Sequence, residues 1–420
     1  MFVPIRNTPR DYAWGATDLI AGFLGTSPSG GPEAEVWLGA HAGSPSQIVD
    51  PSAVGGARDL AEWLAADPEG ALGADLAAEA RLPFLLKILA AGGPLSLQAH
   101  PTPEQARAGY EREDGDGKAL DAYDRNYKDR YHKPELIVAV SDEFDALSGF
   151  RPLAEIAGVV ATLRAADAAD EQPEPGALDL LEQHLAGEDG QGGQGGLEQT
   201  VEWLLRDGRG GDTGATAWVV ERVVRLSKSA LAEASDYALS FATVADLAET
   251  YPGDPGIVIS LLLNRVRLRR GEALYLRAGN IHAYLSGLGI ELMAASDNVL
   301  RGGLTPKHID VSELVDVLDF TPIEPPRLAP EPVGPGVVAF RPDVPDFVLF
   351  RVEPGAAGAD VSRVELSGPA IVLVEGEAIR LKGAHGEVGV PRGGAVYVTP
   401  DEGALSVSGA GVAWIASVGA

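Results

Sequence analysis

The segment Leu95-Ser96-Leu97-Gln98-Ala99-His100-Pro101 alternates as a half-buried strand does. Ser96, Gln98 and His100 are predicted on one face, and Leu95, Leu97 and Ala99 on the other. An amide oxygen and an imidazole two residues apart on a strand offer two metal donors at short, rigid spacing. Pro101 ends the strand and puts the pair near a sheet rim, within reach of a ligand. Mixed oxygen and nitrogen donors suit a divalent cation, and donor types alone permit zinc, manganese or iron. The chain has no cysteine, so a metal must be held by His, Asp, Glu, Asn, Gln or backbone oxygen.

Several elements must position this pair. Residues 1–50 read as short strands and turns, with Glu33–Gly39 as one strand. Residues 58–80 read as helix, with Leu60, Trp63, Leu64, Leu72 and Leu76 as its buried stripe. Leu82–Ala90 reads as a buried strand with Lys87 inside it. Thr102 and Pro103 start a short helix over Glu104–Glu113. In His132–Val140, a strand, Glu135, Ile137 and Ala139 share a face. Residues 153–253 carry Ala, Leu and Glu at helical spacing and form a helical insertion, with Gly190–Gly196 as a flexible loop.

Strand character returns at 256–276. Two further strands, Ile281–Leu285 and Gly289–Ala294, follow the turn at Ala278-Gly279-Asn280. Residues 312–318 suggest a short helix. Six prolines mark 322–336 as a linker, and 337–420 again alternates in short strands. The expected fold is mainly β with a helical insertion. A catalytic β region spans 1–152 and 254–321, the helical domain 153–253, and a C-terminal β-domain 337–420.

At 420 residues the chain is long enough for two or three domains. Its net charge of −28 argues against nucleic acid and anionic membrane surfaces as partners. An anionic substrate would need a local basic pocket set into that acidic surface. The start, Met1–Asn7, has no long apolar stretch of a secretory signal, and no apolar run reaches membrane length. The lack of disulfides fits a reducing cytoplasm. A monomer is the default expectation.

Four blocks in order carry a resemblance: Leu95–Pro101, His132-Lys133-Pro134-Glu135, Gly279-Asn280-Ile281-His282-Ala283-Tyr284, and Ser296–Lys307. They resemble the signature blocks of type I mannose-6-phosphate isomerases, zinc enzymes of the cupin class. The early Tyr12-Ala13-Trp14-Gly15 and Ala34–His41 are similar to that family too. The resemblance implies cupin jelly-roll domains with a helical insertion. It also implies one zinc ion per chain, bound by Gln98, His100, Glu135 and His282.

The activity implied is interconversion of D-mannose 6-phosphate and D-fructose 6-phosphate, with a proton moved between C1 and C2 through an enediol. Such a step needs charge stabilisation on oxygen and a base. Glu291, Lys133 and metal-bound water are the candidates for the base. Arg301 and Lys307 are candidates for holding the phosphate in a Gly/Pro-interrupted loop, with Arg301 also tied to catalysis by the resemblance. Ser96 is a candidate substrate contact and Trp14 a candidate pocket wall. An ion pair with Arg301 or another cation is the structural alternative for Glu291. His41, His132 and His308 are candidates for contacts around the site, whereas His184 and His385 read as surface or structural. Two rival functions are a metal-dependent cupin oxygenase and a non-catalytic sugar-binding cupin. The residues fix no pathway, and mannose supply for glycans (as GDP-mannose) or mannose catabolism are both compatible.

Overall fold

The computed structural model describes residues 1–187, 192–208, 214–356, 358 and 360–419. Its centre is one long strand, His282–Ala294. The sequence pattern predicts two strands here, with polar Ser286 and Gly287 between them. The chain instead bends without breaking. A bulge lies between Tyr284 and Ser286, and Gly287 takes φ +116°. A side chain at Gly287 would meet the Glu143 carbonyl oxygen at 2.8 Å, so close backbone packing requires glycine at this bend.

The two halves of that strand lie in two antiparallel sheets. Residues 287–294 sit between Phe84–Ala91 and Glu135–Ala139, with Glu35–Leu38 and Ala273–Leu276 at the flanks. Residues 282–286 sit between Leu97–Ala99 and Glu143–Phe150, with Leu300–Gly303 and Leu263–Arg269 outside them. Leu89, Ile137, Ala139, Phe144, Val266 and Tyr284 fill the space between the sheets. Glu135, Ile137 and Ala139 share a face as predicted, and Ile137 and Ala139 pack into this interior. Their alternates Leu136 and Val138 face a second core.

That second core packs the first sheet against an eight-stranded sheet of the C-terminal region, through residues such as Ile88, Leu292, Leu373 and Trp414. Phe2–Arg6 and Gln47–Ile48 complete that sheet, since Phe2–Arg6 pairs with Ala395–Val398. A four-stranded sheet covers its far face. The Glu331–Gly334 strand falls within the proline-rich stretch 322–336.

The helices of residues 153–262 cover the outer face of the second sheet. Leu97, Ala99, Leu147, Ile281 and Ala283 share one core with Leu163, Leu204, Val223 and Phe241. Thus one face of the Leu97–Ala99 strand anchors to helices while the other looks inward. No described helix is long and apolar enough to cross a membrane.

Three further expected elements differ. Residues 58–80 form three short helices, Leu60–Ala66, Pro68–Leu72 and Ala74–Ala77. Asp67 and Gly73 cap and restart the chain there. Gly256–Leu262 is helix rather than strand. It is buried on every side, so its apolar run has no period to read. Gly193–Gly196 opens the helix Gly193–Asp207 instead of forming a loop, while the Gly190 and Gln191 part of that expectation lies outside the described residues.

Candidate active site

Three register rows build the site. Gln98 lies directly across from His282 on one side and from Arg301 on the other. Glu135 lies across from Met293, and Lys87 lies across from both Trp37 and Glu291. Residues opposite one another in antiparallel strands point to the same face. The rows therefore aim an amide, an imidazole, two carboxylates and two cations into one space, and His100 follows Gln98 by two residues.

His100, Glu135 and His282 bring donor atoms within 4.8 Å of one another, and all three are buried. His100 Nε2 lies 3.2 Å from Glu135 Oε1, and His282 Nε2 lies 3.3 Å from Glu135 Oε2. Yet both ring nitrogens and Oε2 are buried without a hydrogen bond. The opposite ring nitrogens are engaged. His100 Nδ1 lies 2.8 Å from the Asn298 carbonyl oxygen and His282 Nδ1 3.0 Å from that of Asn280. A carbonyl only accepts, so each Nδ1 carries a proton and each neutral ring presents its Nε2 lone pair to the centre.

Burial holds the His100 imidazole down at about 4, so that ring is neutral at pH 7. Burial works to raise the Glu135 carboxyl, but Lys133 and the imidazoles override it and hold it well below the usual carboxylate range. Buried lone pairs with nothing to accept are costly unless a cation binds them. Two imidazole nitrogens and one carboxylate form a donor set that fits a divalent ion, and Gln98 lies across the strand register from His282.

The surrounding cavity has a volume of about 520 Å³ and is lined by Trp14, Ser96, Gln98, Lys133, Glu135, Glu291, Arg301 and Lys307, among others. It thus gathers the candidate residues around the metal donors. Lys133 Nζ lies 3.1 Å from Glu135 Oε1. Glu291 pairs with Lys87 at 3.0 Å, not with Arg301. Burial raises the Glu291 carboxyl; Lys87 opposes that, while Glu135 and Glu35 add to it. Arg301 lies on the Leu300–Gly303 strand rather than in a loop, because it pairs with Gln98. Leu95 lines the cavity beside Ser96, against the predicted alternation, because the strand begins only at Leu97.

Among the described residues Arg301 and Lys307 have no carboxylate partner. Burial lowers the pKa of both, and Arg301 lowers Lys307 further. The three other candidate histidines have partners of their own, and that of His41 lines the cavity. His41 pairs with Asp297 at 3.1 Å, His132 with Asp346 at 2.8 Å, and His308 packs edge-on to Tyr123.

Sequence reasoning missed Lys87, Glu35 and Trp37. Lys87 Nζ lies 3.4 Å from Glu35 Oε1, and Trp37 Nε1 donates to Glu35 Oε2 at 2.8 Å. Burial alone would lower the Lys87 ammonium, but Glu291 and Glu35 raise it above its ordinary value. The available signal was a single lysine in the otherwise apolar run Leu82–Ala90.

A buried His/Glu/His centre between two antiparallel sheets defines a cupin-like metal protein. Residues 2–153 match the family model for the catalytic domain of type I phosphomannose isomerase. The mannose-6-phosphate isomerase of Escherichia coli K12 is 34% identical over 408 residues, covering 96% of each chain. The one from Bos taurus is 30% identical over 428 residues, covering 95% of this chain and 93% of that one. A crystal structure of mannose 6-phosphate isomerase bound with zinc and yttrium covers 100% of both chains at 29% identity, with TM-score 0.83. The chain belongs to the type I phosphomannose isomerase family.

Proposed function

We propose that this protein is an aldose–ketose isomerase that interconverts D-mannose 6-phosphate and D-fructose 6-phosphate, with one zinc ion held by Gln98, His100, Glu135 and His282. One observation carries the reading. Three buried donor atoms without hydrogen bonds converge at Glu135, and Glu135 lines the same cavity as two cations that no acid neutralises among the described residues. A bound zinc ion supplies Lewis acidity for the oxyanion that develops during enolisation.

The protein's own groups do the rest. Arg301 and Lys307 hold the phosphate, with Ser96 beside them. Trp14 walls the sugar. Glu291 takes the proton from one carbon and returns it to the next; burial raises its carboxyl above the ordinary range, the direction that strengthens it as a base. Lys87 holds that carboxylate in place. Lys133 orients Glu135 through their 3.1 Å contact and is the competing acid/base group. The reading that uses an anionic ester accounts for Arg301 and Lys307, which have no carboxylate partner among the described residues.

The test is a metal assay run beside a coupled isomerase assay on the purified chain. Chelation should abolish turnover, and added zinc should restore it. A protein that binds zinc but leaves mannose 6-phosphate unchanged would refute the activity.

A further inference from the structure

We propose that the segment Tyr251–Gly256, where the helical block returns to the sheets, is a positioning clamp for the anion anchor, with Asp254 acting through Leu304 on Arg301 and Lys307. The inference rests on the isomerase reading for the identity of the anion.

Leu304 lies between the two cations and is buried, yet it takes φ +53°. An L side chain rarely adopts that left-handed conformation, so something must hold it. Asp254 does. Its Oδ1 accepts from the Leu304 backbone N–H at 2.9 Å and from the Gly256 N–H at 2.8 Å. The two backbones also touch. A side chain at Gly303 would meet Gly256 Cα at 2.9 Å and Asp254 Oδ1 at 3.0 Å. The Lys307 N–H closes the turn by donating to Thr305 Oγ1 at 3.1 Å. Asp254 thereby fixes the direction the chain takes between Arg301 on its strand and Lys307 beyond it.

The other end of the segment grips the opposite wall. The Tyr251 hydroxyl donates to the Pro94 carbonyl oxygen at 3.0 Å, two residues before Ser96. Tyr251, Ser96, Leu304, Arg301 and Lys307 all line the same cavity. One short connection thus spaces the residues that would contact a phosphate. Asp254 touches no substrate in this account; it positions the groups that do.

The test uses the zinc-loaded full chain, with inorganic phosphate as calorimetric probe and mannose 6-phosphate as substrate. Asp254→Ala should weaken phosphate binding and raise KM about tenfold, the loss of one charge-assisted contact, with zinc content unchanged and kcat within about twofold. Asp254→Asn keeps an acceptor oxygen and should restore both to within about twofold of the original. Tyr251→Phe should weaken phosphate about threefold. A folded, zinc-bearing Asp254→Ala protein with unchanged phosphate affinity overturns the clamp, as does a fall in kcat at constant KM. If Asp254→Ala is recovered only unfolded, Tyr251→Phe decides, and unchanged phosphate affinity in it overturns the clamp. An unsubstituted protein without isomerase activity sinks the isomerase reading alone, because the phosphate titrations still judge the clamp.

Discussion

Replacing Arg301 with alanine should separate binding from stability in opposite directions. Two unit charges about 4 Å apart attract by about 4 kcal/mol at an effective dielectric near 20. Arg301 is only half-buried, so solvent screening trims this to about 2–3 kcal/mol, or roughly 30- to 150-fold in kcat/KM. Stability should not follow. Arg301 has no acid partner among the described residues, is partly desolvated and lies near Lys307, so its removal breaks no native ion pair. Unfolding free energy should stay within about 0.5 kcal/mol or rise. Lys307, relieved of a like charge, should titrate closer to its ordinary range. The assay is steady-state turnover of mannose 6-phosphate with zinc content and urea unfolding measured on the same preparation. Arg301→Lys should recover part of the loss, because it keeps the charge but not the planar fork. Unchanged kcat/KM in Arg301→Ala, or a stability loss as large as the activity loss, would refute the reasoning.

Lys87→Met should cost about 3–5 kcal/mol in urea unfolding, since it leaves Glu35 and Glu291 buried without their cation; a loss under about 1 kcal/mol would mean that water replaces the ammonium. Glu291→Gln should retain zinc but slow exchange of the C2 proton with solvent by about 10²- to 10⁴-fold, and unchanged exchange would remove Glu291 as the base. In the metal-free protein, His100 titrates near 4 when folded against about 6.5 when unfolded, so the unfolded chain takes up the proton first. The stability His100 contributes is therefore complete above pH 6.5 and should be lost as pH falls from 6.5 through 4, by on the order of 3 kcal/mol. Melting curves without zinc that stay level across that window would contradict this assignment.

Local alternation placed Gln98, His100 and Glu135 on strand faces, but it was the resemblance of the ordered blocks that marked them, with His282, as candidate metal donors. Glu135, Ile137 and Ala139 alternate cleanly, and the interior they face is the one observed. Lys87 was not legible as part of the site. Its partner Glu35 lies 52 residues away, and only strand register brings the two together. The bend in His282–Ala294 was hidden for a similar reason. Gly287 is needed by the approach of the Glu143–Phe144 backbone, and nothing local announces that neighbour. Gly256–Leu262 misled through its β-branched residues, whose strand preference yields to burial on all sides. The positive φ of Leu304 cannot be read from a leucine at all, because that residue type gives no sign of left-handed backbone.

A chain of net charge −28 can present a cationic anchor only by occupying its own carboxylates first. Four carboxylates line the cavity, Glu35, Glu135, Glu291 and Asp297, against four cations, Lys87, Lys133, Arg301 and Lys307. The pairing is uneven. Lys87 bridges Glu35 and Glu291, Lys133 takes Glu135, and His41 from behind the wall takes Asp297. One lysine serving two acids, with a histidine covering another, leaves Arg301 and Lys307 to spare in a cavity whose formal lining charge is near zero. A divalent ion on the imidazoles and a dianionic ester on Arg301 and Lys307 would cancel each other. The loaded cavity then keeps the balance of the empty one. The two cations do not offset an excess of acid; they set where in the cavity the negative end of a substrate must lie.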